Sequence, residues 1–161
     1  MNDRYLLIVW HSRTGSCEAL AKAAFEGGST RARIMRAKEV EPDHLLEASG
    51  YLFACPENLA TMSGEMKEMF DRCYYPVLGQ IEGRPYATMI AAGSDGEGAQ
   101  KQIDRIAKGW RLKRVAEKMI VGTHAQTKEE ILAPKTIDAE HLSKARDLGR
   151  GLGEGIAEGI L

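Results

Sequence analysis

Short apolar runs alternate with longer segments of helical period along this chain, the pattern left by parallel strands joined through crossover helices. The runs are Tyr5 to Trp10, Arg33 to Arg36, Tyr51 to Cys55, Tyr86 to Ala92 and Val115 to Val121. Three of them are almost continuously apolar, as strands covered on both faces are. The second is short and flanked by Arg31, Arg33 and Arg36, which suits an exposed edge. Between the runs, Leu20, Ala23, Ala24 and Gly27 share one helical face, as do Met62, Met66, Met69, Phe70 and Cys73, and then Ala99, Ile103, Ile106 and Trp110. The reading is an α/β chain of five strands and five helices, a doubly wound parallel sheet with helices on both faces. One domain is expected over residues 1–161.

The last helical segment has its own signals. Asp138 is placed to cap it, Ile137 and Leu142 have the spacing of a hydrophobic staple, and Ala145, Leu148, Leu152 and Ile156 continue the stripe. Gly149, Gly151, Gly153 and Gly155 interrupt it, each costing about 1 kcal/mol relative to alanine in a helix interior. Such a helix is expected either to fray or to pack unusually close to a neighbour. Thr123 to Thr136 has no clear period and contains Pro134, so it reads as a long loop with room for a turn of helix. Loops of that length are often functional.

The net charge of −1 supplies no global field for nucleic acid or an anionic membrane surface. It also argues against a dedicated acidic electron carrier, which needs a strongly negative face to steer its encounters. The start of the chain lacks the features of a signal peptide and no apolar run is long enough to span a bilayer, so a cytoplasmic location is expected. Cys17, Cys55 and Cys73 are odd in number and widely spaced, which fits a reducing compartment better than a disulfide framework. His11, His44, His124 and His141 are scattered without metal-ligand spacing, so no metal site is expected.

The first strand ends at Trp10, so His11 to Ser16 makes the first strand-to-helix turn. A helix start presents backbone N–H groups without intrahelical partners and carries partial positive charge, which suits a phosphate. Ser12, Thr14 and Ser16 add hydroxyls at alternate positions, Gly15 lets the backbone bend closely around an anion, and Arg13 adds a charge that can equally face solvent. Plain helix capping and a turn glycine would account for the same residues. The spacing is neither GxxxxGK[ST] nor GxGxxG, which weighs against a nucleotide P-loop and a dinucleotide fingerprint.

The loop Ser12-Arg13-Thr14-Gly15-Ser16 resembles the hydroxyl-x-Thr-Gly-hydroxyl loop of the flavodoxin-like superfamily, which includes flavodoxins and NAD(P)H-dependent FMN and quinone reductases. Cys55-Pro56-Glu57-Asn58-Leu59-Ala60-Thr61-Met62-Ser63-Gly64, followed by Lys67, Phe70, Asp71 and Arg72, is similar to the reductases' flavin-contacting loop and Met-Ser-Gly helix start. Ala92-Gly93-Ser94-Asp95-Gly96-Glu97-Gly98 follows the fourth strand, where the superfamily has its other flavin-contacting loop. All three fall at carboxyl ends of expected strands, where doubly wound sheets bind ligands. The resemblance implies strand order 2-1-3-4-5, FMN with its phosphate on Ser12 to Ser16, and its ring between Pro56 to Thr61 and Gly93 to Gly96. It further implies NAD(P)H as reductant, a quinone or other small molecule as acceptor, and a homodimer or homotetramer in which a second subunit completes the flavin pocket. A flavodoxin-type electron carrier and a flavin-free binding domain stay open as alternatives.

Within those loops, backbone N–H groups of Asn58 to Thr61 or Ser94 to Gly96 would stabilise negative charge on the reduced ring, and Glu57, Asp95 or Glu97 nearby would oppose it. His11 reads as a loop or cap residue in preference to a proton donor. Met66 and Met69 read as core, Cys17 as a small buried residue, and the basic stretch from Lys108 to Lys118 as a solvated face. Trp10, Trp110, Tyr74 and Tyr75 are placed either to contact a ring or to cover sheet edges.

Overall fold

The computed structural model describes residues 3–161. Its parallel sheet begins with β1 (Leu6–Trp10), β2 (Ala32–Arg36), β3 (Gly50–Asn58) and β5 (Pro85–Ala92). A two-residue strand, β4 (Thr61–Met62), folds back antiparallel on the end of β3. Along the sheet the order is β2-β1-β3-β5, and beyond β5 lie β6 (Lys113–Arg114) and β7 (Met119–Gly122), both parallel to it. Position for position this is the expected order 2-1-3-4-5, with the fifth run divided. β6 pairs with the start of β5 and β7 with its end, and the intervening Val115 to Lys118 includes the charged residues Glu117 and Lys118. The single strand expected from Val115 to Val121 is therefore two short ones, the first starting earlier.

Side chains on the strands alternate cleanly between two cores. Leu6, Ile8, Leu52, Ala54, Ala87, Met89 and Ala91 face α1 (Ser16–Gly28) and α6 (Ala139–Ala157). Leu7, Val9, Tyr51, Phe53, Cys55, Tyr86 and Ile90 face α2 (Pro42–Glu47), α3 (Gly64–Val77) and α4 (Glu97–Gly109). This is the period-two pattern of a sheet covered on both sides. The α3–α4 side is filled with aromatic rings: Phe53 lies 5.1 Å from Phe70, and Trp110 stacks on Tyr74 at 5.6 Å. Trp110 and Tyr74 thus belong to the core, along with Met66 and Met69.

The second crossover is the shortest. A 3-10 turn (Ala37–Glu39) and the brief α2 replace a full helix, and Arg84 holds the end of α2 by donating to the carbonyls of Leu46 at 2.7 Å and Ala48 at 2.6 Å. On the opposite side, small residues let α1 and α6 approach until backbone meets backbone. A Cβ on Gly149 would lie 1.9 Å from the Ala24 carbonyl oxygen, and one on Gly27 would lie 1.9 Å from that of Arg146. Of the two outcomes the glycines allowed, close packing is the one observed. Asp138 caps α6 as expected, accepting a hydrogen bond from the His141 N–H at 2.8 Å. No helix among the described residues is long and apolar enough to cross a membrane.

Candidate functional site

The turn after β1 is built by its own hydroxyls and by its neighbour β3. The His11 N–H donates to the Ala54 carbonyl at 3.0 Å, carrying the ladder one residue past the strand. Ser12 Oγ accepts from the Gly15 N–H at 3.0 Å, and Gly15 takes φ 105°, a left-handed conformation that suits glycine. α1 starts at Ser16, so its unpaired first-turn N–H groups lie just beyond the turn. The Ser16 side chain is 4 % exposed, and its hydroxyl has no hydrogen-bond partner among the described residues. An orphaned buried hydroxyl is costly unless a ligand or water completes it.

β3 runs on to Asn58 and reverses through Leu59 and Ala60, whose φ angles are 52° and 66°. Two consecutive left-handed residues make the tight hairpin turn that normally carries Asn-Gly, so Leu-Ala holds it under strain. Leu59 at its tip is 97 % exposed. The third loop leaves β5 at Gly93, where a Cβ would lie 2.7 Å from the Ala125 carbonyl oxygen. Glu57 then ties the second loop to the third: its Oε1 accepts from the Gly96 N–H at 2.9 Å and its Oε2 from the Ala99 N–H at 3.1 Å. It occupies the N-terminus of α4, where an anion is favoured by the unpaired donors and the helix dipole.

One cleft opens between these segments. Ser12, Arg13, Thr14 and Ser16 line it from the first loop, Pro56, Glu57 and Asn58 from the second, and Gly93 from the third. Gly15 forms the turn beneath it, whereas Leu59, Ala60, Thr61, Ser94, Asp95 and Gly96 lie outside the lining. The Gly96 N–H belongs to Glu57, and Glu97 is ion-paired with Lys118, so neither carboxylate stands unpaired beside the cleft. Asp95 is exposed.

The outer wall comes from a segment whose site residues the sequence did not single out. Thr123, Ala125, Ile131 and Lys135 line the cleft, from the stretch between β7 and α6 that contains α5 (Lys128–Leu132). The Lys135 N–H donates to the Thr14 carbonyl at 2.7 Å, fastening this segment onto the first loop. Its length and lack of period were the available signal; which of its residues turn inward depends on contacts with the end of β5, where the Thr123 N–H donates to the Ala92 carbonyl at 2.8 Å, and with the first loop, more than a hundred positions from Lys135.

Three groups beside the cleft have altered acidity. His11 Nδ1 and Ser63 Oγ share a hydrogen bond of 2.8 Å, and Glu65 lies 3.8 Å from His11 Nε2. Burial lowers the His11 pKa, outweighing the opposing pull of Glu65. Cys17 is fully buried and its pKa is raised well above the ordinary thiol value by burial, the opposite of activation by a helix start; burial pushes Cys55 up to about 12. Among the described residues no cluster of His, Cys, Asp and Glu has the grouping to hold a metal ion.

A cleft at the carboxyl ends of parallel strands, with a helix start, a buried unpartnered hydroxyl and two more hydroxyls, has the donor set for a phosphate-bearing ligand. Residues 37–125, more than half of the chain, match the family model for NADPH-dependent FMN reductases. The chain belongs to that family. As a member it is an FMN-binding flavoprotein of the oxidoreductase class. The match takes in the second and third loops and ends before Ile131 and Lys135. A flavodoxin from the domain Archaea superimposes with a TM-score of 0.77 at 17% identity, covering 94% of this chain and 98% of that one. A flavodoxin, WrbA-like protein from Agrobacterium tumefaciens gives 0.73 at 14% identity, with 97% and 98% covered. The flavodiiron protein from Giardia intestinalis gives 0.77 at 18% identity, covering 98% of this chain but 38% of that one. At these identities the likenesses establish the flavodoxin-like fold. No curated protein matches the sequence.

Proposed function

We propose that this FMN reductase family member is an NAD(P)H-dependent oxidoreductase that passes electrons to a quinone or another small acceptor, and that the cleft is its flavin site. The observation that carries the reading is the buried, unpartnered Ser16 hydroxyl in a cleft lined by Ser12 and Thr14 at the start of α1. In this reading Ser12, Thr14, Ser16 and the first-turn N–H groups of α1 hold the phosphate, and Gly15 and Arg13 shape its turn and add charge. FMN, when bound, supplies the carrier for electrons between the nicotinamide and the acceptor. The chain's part is to fix the ring and leave one side of it open.

Pro56 to Thr61 and Gly93 to Gly96 flank the place left for the ring. Leu59, 97 % exposed, and Ile131, 47 % exposed, supply apolar surface for it to cover. Glu57 keeps the two loops in register by holding Gly96 and Ala99, and because its carboxylate is already bonded there it opposes negative charge on the ring less than an unpaired acid would. Near-neutral charge favours a small diffusing acceptor over an electrostatically steered protein partner.

The test is the visible spectrum of the purified protein, before and after FMN is added and the excess removed, followed by NADH and NADPH oxidation with quinones, azo dyes and free flavin as acceptors. A retained flavin spectrum that a Thr14→Ala/Ser16→Ala double variant loses, together with nicotinamide turnover, is the expected result. Retained flavin without turnover on any acceptor would replace the enzyme with an electron carrier. A colourless protein that ignores FMN would withdraw the assignment of this cleft.

A further inference from the structure

The first loop contains no lysine, and its own cation, Arg13, is exposed. A second cationic residue lines the cleft from far along the chain. Lys135 lines it together with Ser16, and the main chain of Lys135 is fixed to the first loop: its N–H donates to the Thr14 carbonyl at 2.7 Å, and its carbonyl oxygen lies 3.3 Å from where a Cβ on Gly15 would stand. The side chain is held differently. Nζ donates to the carbonyls of Ile131 at 3.0 Å and Ala133 at 2.7 Å, at the end of α5, and pairs with no carboxylate among the described residues. Glu57, the acid lining the same cleft, already accepts from two backbone N–H groups. The cleft lining thus includes a lysine whose ammonium is bonded only to neutral carbonyls at the end of α5, and a buried hydroxyl that has no partner among the described residues.

We infer that Lys135 is the residue by which the cleft distinguishes phosphorylated from unphosphorylated flavin. An ammonium bonded to neutral carbonyls gains a stronger, charge-assisted bond when a phosphate dianion comes within reach of its flexible stem. Nζ therefore exchanges the Ile131 and Ala133 carbonyls for a phosphate oxygen, and residues 123–137 tighten over the first loop when that happens. Riboflavin fills the same ring site without triggering the exchange. The inference rests on the assignment of the cleft to FMN.

Fluorescence titrations of the full chain with FMN and with riboflavin test it, using wild type, Lys135→Gln, Lys135→Arg and Arg13→Gln. Lys135→Gln is expected to weaken FMN about tenfold, the scale of a lost hydrogen bond to a charged group, and to leave riboflavin unchanged. Lys135→Arg is expected to recover most of the loss. Hydrogen exchange over 126–137 is expected to slow with FMN but not riboflavin in wild type, and to respond equally to both in Lys135→Gln. An unchanged FMN-to-riboflavin ratio in Lys135→Gln, or the whole preference lost in Arg13→Gln alone, overturns the inference while leaving the FMN site in place. Wild type binding neither flavin overturns the site itself and this inference with it. The substitution leaves the Lys135 backbone bond to Thr14 intact, so loss of folding is not expected; matching melting curves without ligand check that.

Discussion

Glu57 shows how a residue's place in a loop and its role in the fold can differ. The sequence placed a carboxylate where a flavin ring was expected, an arrangement that would oppose charge on the reduced ring. Its actual partners, Gly96 and Ala99, are 39 and 42 positions away, and that pairing exists only once β3 and β5 lie side by side. Glu57→Ala is expected to lower stability by about 1–2 kcal/mol through the lost helix cap, whereas Glu57→Gln, which keeps one acceptor oxygen, loses less; urea midpoints read the difference. His11 adds a pH dependence of definite sign. Burial holds its pKa below the value of about 6.5 that it has in an unfolded chain. As pH falls through 6.5 the unfolded chain takes up the proton first, so this contribution to stability is complete above that pH and is lost progressively down to the lower folded value. Wild type should therefore lose stability between pH 7 and pH 5 more steeply than His11→Asn, in denaturant midpoints measured at each pH. Parallel curves would mean that the ring is solvated in the folded protein.

Elements were legible where period and caps agree and ambiguous where a distant partner decides. Asp138, Ile137 and Leu142 marked the start of α6 correctly, and the alternating apolar runs located the strands. The glycines of α6 allowed two outcomes, because whether a bare stretch of helix frays or packs depends on what lies against it. Ala24, Gly27 and Gly28 on α1 turned out to be that surface. The same physics gives a paired prediction. At Gly149 an added Cβ would collide with the Ala24 carbonyl, and backbone cannot yield as a flexible side chain would, so Gly149→Ala is expected to cost about 3 kcal/mol. Nothing lies within 4 Å of a Cβ at Gly151, so there the substitution gains helix propensity and stabilises by about 0.5–1 kcal/mol. Thermal or urea midpoints of the two variants should therefore shift in opposite directions. The divided last strand had no comparable signal: a run of mixed apolar and charged residues does not reveal where β5 stops offering it bonds.

At the scale of the molecule, the cleft is a consequence of topology. β1 and β3 are neighbours whose connections leave in opposite directions, β2 to one side and β5 to the other, and a crevice at their carboxyl ends follows from that reversal. Three of its walls could be placed from sequence because they follow directly from the ends of strands. The fourth could not, since residues 123–137 cross from the end of β7 to α6 and meet the first loop through the backbone bond from Lys135 to Thr14. A ligand in this crevice touches four segments at once and binds them only in their folded arrangement, so its binding energy adds to the stability of the whole fold and not to one loop. The linkage is quantitative: at 100 times its dissociation constant a ligand that binds only the folded state adds about 2.7 kcal/mol. For a chain of this size that corresponds to a rise in melting temperature of about 5–10 °C. FMN should produce that rise in wild type and continue to raise the midpoint logarithmically with concentration. Thr14→Ala/Ser16→Ala should melt close to wild type without ligand and show little rise at the same FMN concentration, because the variant removes ligand contacts while leaving both cores intact. A rise of equal size in the variant would place FMN elsewhere on the molecule, and no rise in either protein would mean that the crevice does not hold FMN.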